Sequence, residues 1–187
     1  KLRMLRIDDN PIEIGNADVK RLLLNISRNE SQIDVSSMGL DDNDTAVLTA
    51  LLPSLTPELA SFNISNNTVS GAVIPLLNSF TDMLPNLVEI DLSHNAIAGE
   101  FSFLKWRNLE SLSLAGNDFI GSIPSEMGQM TRLTHLSFFD NRLAGSIPSQ
   151  IGQLTSLTYL HLAGNNLGKS IPSQIGQMTS LASLDFH

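Results

Sequence analysis

Between Leu109 and Pro172 the chain states one pattern three times. Leu112, Leu136 and Leu160 stand 24 residues apart, each inside Leu-x-x-Leu-x-(Leu/Phe)-x-x-Asn-x-(Leu/Phe). A fixed period in the twenties leaves few options for a fold: one coil cannot bury its own apolar side, and only stacking of successive coils builds a continuous core.

The chemistry of one coil follows from its residues. In Leu133-Thr134-His135-Leu136-Ser137-Phe138 apolar and polar residues alternate, which predicts a short strand with one buried face, and stacked copies form a parallel sheet. An Asn follows where the chain turns inward, at Asn10, Asn67, Asn95, Asn117, Asn141 and Asn165. Its amide is placed to satisfy backbone groups of adjacent coils that water cannot reach. Coil two carries Met38 in place of this Asn, so the ladder is expected to break there. The Gly-Ser-Ile-Pro that follows makes the next corner, because Pro cannot continue a helix, and Ile123, Ile147 and Ile171 are expected to return to the core.

Phe119-Ile120-Gly121-Ser122-Ile123-Pro124 and Leu143-Ala144-Gly145-Ser146-Ile147-Pro148 carry a further signature. This run resembles the plant-type leucine-rich repeat of plant receptor-like kinase ectodomains, polygalacturonase-inhibitor proteins and sets of algal and diatom proteins. The resemblance implies an α/β solenoid, a right-handed superhelix with a concave parallel β-sheet. It does not name a ligand, because fold does not carry function. One copy departs: Leu167-Gly168-Lys169-Ser170-Ile171-Pro172 has its Gly one place early, which would let Lys169 project on that edge.

Read in order, the coils centre on Leu5, Ile33, Phe62, Ile90, Leu112, Leu136, Leu160 and Leu184. The first three intervals are 28, 29 and 28 residues, against 22 to 24 afterwards. Longer repeats have room for a helix on the convex side, and shorter ones only for a 3₁₀ turn. Helices are therefore expected over Asn16 to Ile26, Asp41 to Leu52 with Pro53 as the stop, and Pro75 to Met83. In coil four Phe101 and Phe103 stand where later coils have Ile-Pro, with Trp106 filling the convex side. The expectation is one domain over residues 1–187 of about eight coils, with long repeats over 1–86 and regular repeats over 87–187. Both ends fall inside a repeat and no cysteine is present for capping disulfides. The chain therefore reads as a fragment of a longer protein, the alternative being that a neighbouring chain covers the open ends.

Composition narrows the function. A net charge of -8 argues against nucleic acid, and no apolar run is long enough to insert in a membrane. There is no Cys nucleophile, phosphate-cradling Gly loop or Gly-x-Ser-x-Gly elbow, so the reading is a non-enzymatic module without a cofactor. Asn25, Asn29, Asn43, Asn63 and Asn66 head Asn-x-Ser/Thr sequons, which favours an extracellular or cell-surface glycoprotein, a lumenal or cytoplasmic location staying open.

Strand residues flanking the buried apolar one point away from the core. Most are small and polar; the exception is His135, Phe139, Tyr159 and His161, flanked by Asp140 and Asp185. This patch is the expected recognition surface for a protein, peptide or glycan ligand, since aromatic groups are enriched at interface hot spots. Its imidazoles would make binding depend on pH between about 5 and 8. Nothing in the spacing makes His135, His161 and Asp185 converge on a metal, and none is expected. The alternative function is a structural, adhesive or scaffold subunit of a cell-surface matrix or larger assembly.

Overall fold

In the computed structural model, residues 5–7, 10–12, 16–25, 30–100, 106–168 and 170–186 are described. Chain order is β1 (Leu5–Ile7), β2 (Asn10–Ile12), α1 (Ala17–Asn25), β3 (Gln32–Asp34), α2 (Asp42–Leu55), β4 (Ser61–Asn63), α3 (Val73–Met83) and β5 (Glu89–Asp91). Then come β6 (Ala98–Glu100), β7 (Ser111–Ser113), β8 (Asp118–Ile120), β9 (His135–Ser137), β10 (Ala144–Gly145), β11 (Tyr159–His161), β12 (Asn166–Leu167) and β13 (Ser183–Asp185). Three 3₁₀ turns occupy Ser125–Gln129, Ser149–Gln153 and Ser173–Gln177.

Seven strands form one parallel sheet in the order β13-β11-β9-β7-β5-β4-β3. The pairing places Ile33, Phe62, Ile90, Leu112, Leu136, Leu160 and Leu184 side by side. All but Leu184 are buried, and each such side chain contributes about 1.5 to 3 kcal/mol. Leu184, on the edge strand β13, is 37% exposed. Ile171, expected in the core, is 45% exposed, unlike its counterparts Ile123 and Ile147, which are buried.

The convex layer changes character along the chain, helices behind the early coils and 3₁₀ turns behind the later ones. Asp41 caps α2, its Oδ1 accepting from the backbone N–H groups of Asn43 and Asp44, and Val47, Leu48 and Leu52 are buried. The helix does not stop at Pro53 but runs on to Leu55. Thr56 holds this last turn by donating both its N–H and its hydroxyl to Leu52 O, which offsets the one hydrogen bond Pro cannot make. Pro75 lies in the first turn of α3, where backbone N–H groups have no helical partner in any case. Each 3₁₀ turn follows a Pro (124, 148 or 172); the first buries Met127 and Gly128, the second Ile151 and Gly152, and the third has no buried residue.

Two further features depart from the sequence expectation. Leu5–Ile7 does not join the parallel sheet as an eighth strand; it pairs antiparallel with Asn10–Ile12. The register sets Leu5 opposite Ile12, Arg6 opposite Pro11 and Ile7 opposite Asn10. The second is a minor parallel pairing after the Asn position, β6 with β8 and β10 with β12. It was hidden because its two- and three-residue strands overlap the corner motif. Phe101, Phe103, Lys169 and Asn29 lie outside the described residues.

The inward turn is held by five asparagines acting alike. Asn141 Nδ2 lies 2.9 Å from Leu114 O in the preceding coil and 3.1 Å from Phe138 O in its own, with Phe139 O at 3.3 Å; its Oδ1 accepts from Phe119 N at 3.1 Å. Asn67, Asn95, Asn117 and Asn165 repeat this arrangement. Among the described side chains Asn67 is the last in the N-terminal direction: it reaches Val35 O and Leu40 N across coil two, where Met38 has no amide to offer.

Candidate functional site

Pairing in the seven-stranded sheet aligns two outward rows across the coils. One runs Gln32, Ser61, Glu89, Ser111, His135, Tyr159, Ser183; the other runs Asp34, Asn63, Asp91, Ser113, Ser137, His161, Asp185. A third position, just after each strand, holds Ser36, Ser65, Ser93, Ala115, Phe139 and Ala163 in turn.

Five of the six candidate residues meet at one end of this face. Tyr159 Oη and His161 Nδ1 are hydrogen-bonded at 3.0 Å, with the two rings edge to face. Phe139 stacks on His161 at a centroid distance of 4.6 Å, and His135 lies 6.2 Å from the Tyr159 ring. Asp185 Oδ2 is 3.2 Å from His161 Nε2 but off the line of a hydrogen bond, so Nε2 is shielded from water and makes no hydrogen bond. Phe139 remains 37% exposed, an apolar ring open to the solvent of the concave side. The equivalent positions in neighbouring coils are the small Ala115 and Ala163, which leaves the ring room to lean onto His161.

Asp140 belongs elsewhere. It sits in the left-handed region at φ 53°, on the ridge where the strand turns, and lines a polar groove of about 330 Å³ with His94, Asp118 and Arg142. The ridge geometry is tight: a Cβ on Gly164 would come 3.0 Å from the Asp140 backbone.

The rows also show what residue-type scanning passed over. Asp34, Glu89 and Asp91 make the opposite end of the face acidic, and the signal is their place on adjacent rows of the sheet rather than any motif. Asp34 and Asp91 each accept from the N–H two residues on, which fixes their direction. None of the three is ion-paired among the described residues.

Of the sequon asparagines, Asn25, Asn43 and Asn66 are exposed. Asn63 lies on the concave face in β4, with its Oδ1 accepting from Ser65 N. Among the described residues no helix is long and apolar enough to cross a membrane, and no group of His, Asp or Glu is arranged to hold a metal ion.

Comparison with known proteins agrees with the geometry. A Leucine rich repeat family model matches residues 107–167 and a second Leucine Rich repeat model matches 84–100. No curated protein matches the sequence. Among solved structures, the ectodomain of the Arabidopsis receptor kinase HAESA, in complex with an N-terminally extended IDA peptide hormone ligand, is 27% identical with a TM-score of 0.70, over 99% of this chain and 27% of that one. The ectodomain of GASSHO1/SCHENGEN3 from Arabidopsis thaliana, in complex with CASPARIAN STRIP INTEGRITY FACTOR 2, is 34% identical with a TM-score of 0.64, over 73% of this chain and 16% of that one. The plant peptide hormone receptor RGFR1, in complex with RGF2, is 28% identical with a TM-score of 0.60, over 70% and 24%. This chain thus spans between 16% and 27% of the length of these three chains.

Proposed function

We propose that this chain, a leucine-rich repeat solenoid of the plant-receptor type, is a non-enzymatic recognition module that binds an extended peptide across its concave sheet. The observation that carries the reading is the cluster of Phe139, His161 and Tyr159. The repeat needs no aromatic group there, yet two rings stack and a hydroxyl locks the imidazole. Side chains fixed in this way lose little entropy on binding, which is how aromatic anchors come to dominate interfaces.

Peptide rather than glycan is favoured by the similar structures, in which HAESA holds a peptide hormone and RGFR1 is a peptide hormone receptor. Their being receptor ectodomains also supports an extracellular place for this chain, as do the exposed sequon residues Asn43 and Asn66. The test is selection of a random dodecapeptide display library on the immobilised protein. Affinities of the enriched peptides are then compared for wild type, Tyr159→Ala with His161→Ala, and the convex control Gln150→Ala. Loss of an anchor costing 2 kcal/mol or more is about a thirtyfold fall in affinity. The concave double variant is expected to show that fall and Gln150→Ala to bind as wild type; equal affinities for all three would refute the reading.

A further inference from the structure

The concave face is polarised, and its polarity states what kind of peptide it fits. Along the two aligned rows, Glu89 and Asp91 on β5 are separated from Tyr159 and His161 on β11 by two strands whose outward residues are Ser111, Ser113, His135 and Ser137. On the third position Ser93 and Ala115 are small and buried, so neither stands in the way of a backbone crossing from the acidic end to the aromatic one.

No described cation pairs with Glu89 or Asp91. Arg132 pairs with Glu110, Arg142 pairs with Asp118 and Arg107 bonds Gln129, while Arg21 lines a pocket with Gln32 and Asp34 on β3, two strand intervals from β5. Two carboxylates on one strand, without a counter-charge and with Asp91 held in a fixed direction by Ser93 N, favour a cationic group and disfavour an anionic one. Asp185 beside His161 gives the far end the same sign.

We infer that the partner is a cationic peptide, an extended segment with an arginine or lysine about four residues from an aromatic or large apolar anchor. The anchor stacks on Phe139 and Tyr159, and the basic side chain reaches Glu89 and Asp91. The spacing comes from the sheet: β5 and β11 are three strand intervals apart, about 14 Å at roughly 4.8 Å each, and an extended chain covers about 3.4 Å per residue. The inference rests on the concave-face reading and adds the chemistry of the ligand to it.

The same dodecapeptide library separates the two claims. Selection on wild type is expected to enrich Arg or Lys four positions from Phe, Tyr, Trp or Leu and to deplete Asp and Glu at that position. Selection on Glu89→Gln with Asp91→Asn is expected to keep the aromatic preference and lose the basic one. The best wild-type peptide should bind that variant at least tenfold more weakly. Asn at position 91 keeps an oxygen to cap Ser93 N, and a matching melting temperature confirms that the variant folds. Aromatic enrichment with no preference for basic over acidic residues, or a basic preference unchanged in the variant, overturns the cationic assignment and leaves the concave-face reading standing. Enriched peptides that bind Tyr159→Ala with His161→Ala as tightly as wild type, or no enrichment at all, overturn both.

Discussion

Phe139 lies almost face to face with His161, the two planes 23° from parallel, although the residues come from successive coils. Its neighbour Phe138 points the other way and is fully buried. These adjacent phenylalanines should therefore separate stability from recognition. Phe138→Ala should cost about 3 to 5 kcal/mol in urea denaturation, as a core truncation does. Phe139→Ala should cost about 1.5 kcal/mol or less, the worth of an aromatic pair, while weakening peptide binding. Similar stability losses for both would mean that Phe139 is a packing residue.

The Asn141 side chain makes bonds in its own coil and to Leu114 O and Phe119 N of the preceding coil, so its removal strands backbone groups in both. Asn141→Ala should destabilise by about 1 to 3 kcal/mol for each group left unpaired. The exposed Ser149→Ala should lie within about 0.5 kcal/mol of wild type. Equal midpoints in a denaturant titration would show that the ladder is not a source of stability.

Gly152 and Gly176 occupy the same position in successive 3₁₀ turns but face different surroundings. A Cβ at 152 would collide with the Gln174 backbone carbonyl of the next coil, whereas one at 176 would meet nothing within 4 Å. Gly152→Ala should cost about 1 to 3 kcal/mol by overpacking, and Gly176→Ala should be close to neutral. A melt that ranks the two in the opposite order would contradict the stacking of these coils.

The sequence made the sheet legible because two independent periods agree. Alternation within Leu133 to Phe138 sets which residues point outward, and the 24-residue ruler says which of them are neighbours. Together they placed His135, Tyr159 and His161 on one face. They could not show Phe139 leaning onto His161, since that depends on the side-chain room left by Ala115 and Ala163. Asp140 was misplaced because an alternation rule does not extend past the strand into a left-handed turn. The antiparallel pairing of Leu5–Ile7 was missed because three residues of strand pattern fit a hairpin as well as a coil, and only tertiary pairing decides between them. Pro53 was read as a stop from its missing N–H, whereas the bonds from Thr56 to Leu52 that carry the helix past it follow no local rule.

Asn43 is exposed in the first turn of α2, so its sequon is open to modification. Protein secreted from a eukaryotic host should lose mass on treatment with peptide N-glycosidase, and Asn43→Gln should remove part of that shift. An intact mass unchanged by the enzyme would take away the sequon support for a secretory route.

The imidazoles give the most direct view of where a partner sits, because His135 and His161 lie on the concave face and His94 lies on the turn ridge away from it. A proton NMR titration with the best library-selected peptide would follow the Cε1–H resonance of each ring, assigned by His→Gln substitution. Recognition through the concave patch predicts that the signals of His135 and His161 move together and saturate at the measured affinity while that of His94 stays fixed. Movement of His94 alone, or saturable binding with both concave signals unmoved, would place the partner elsewhere on the solenoid.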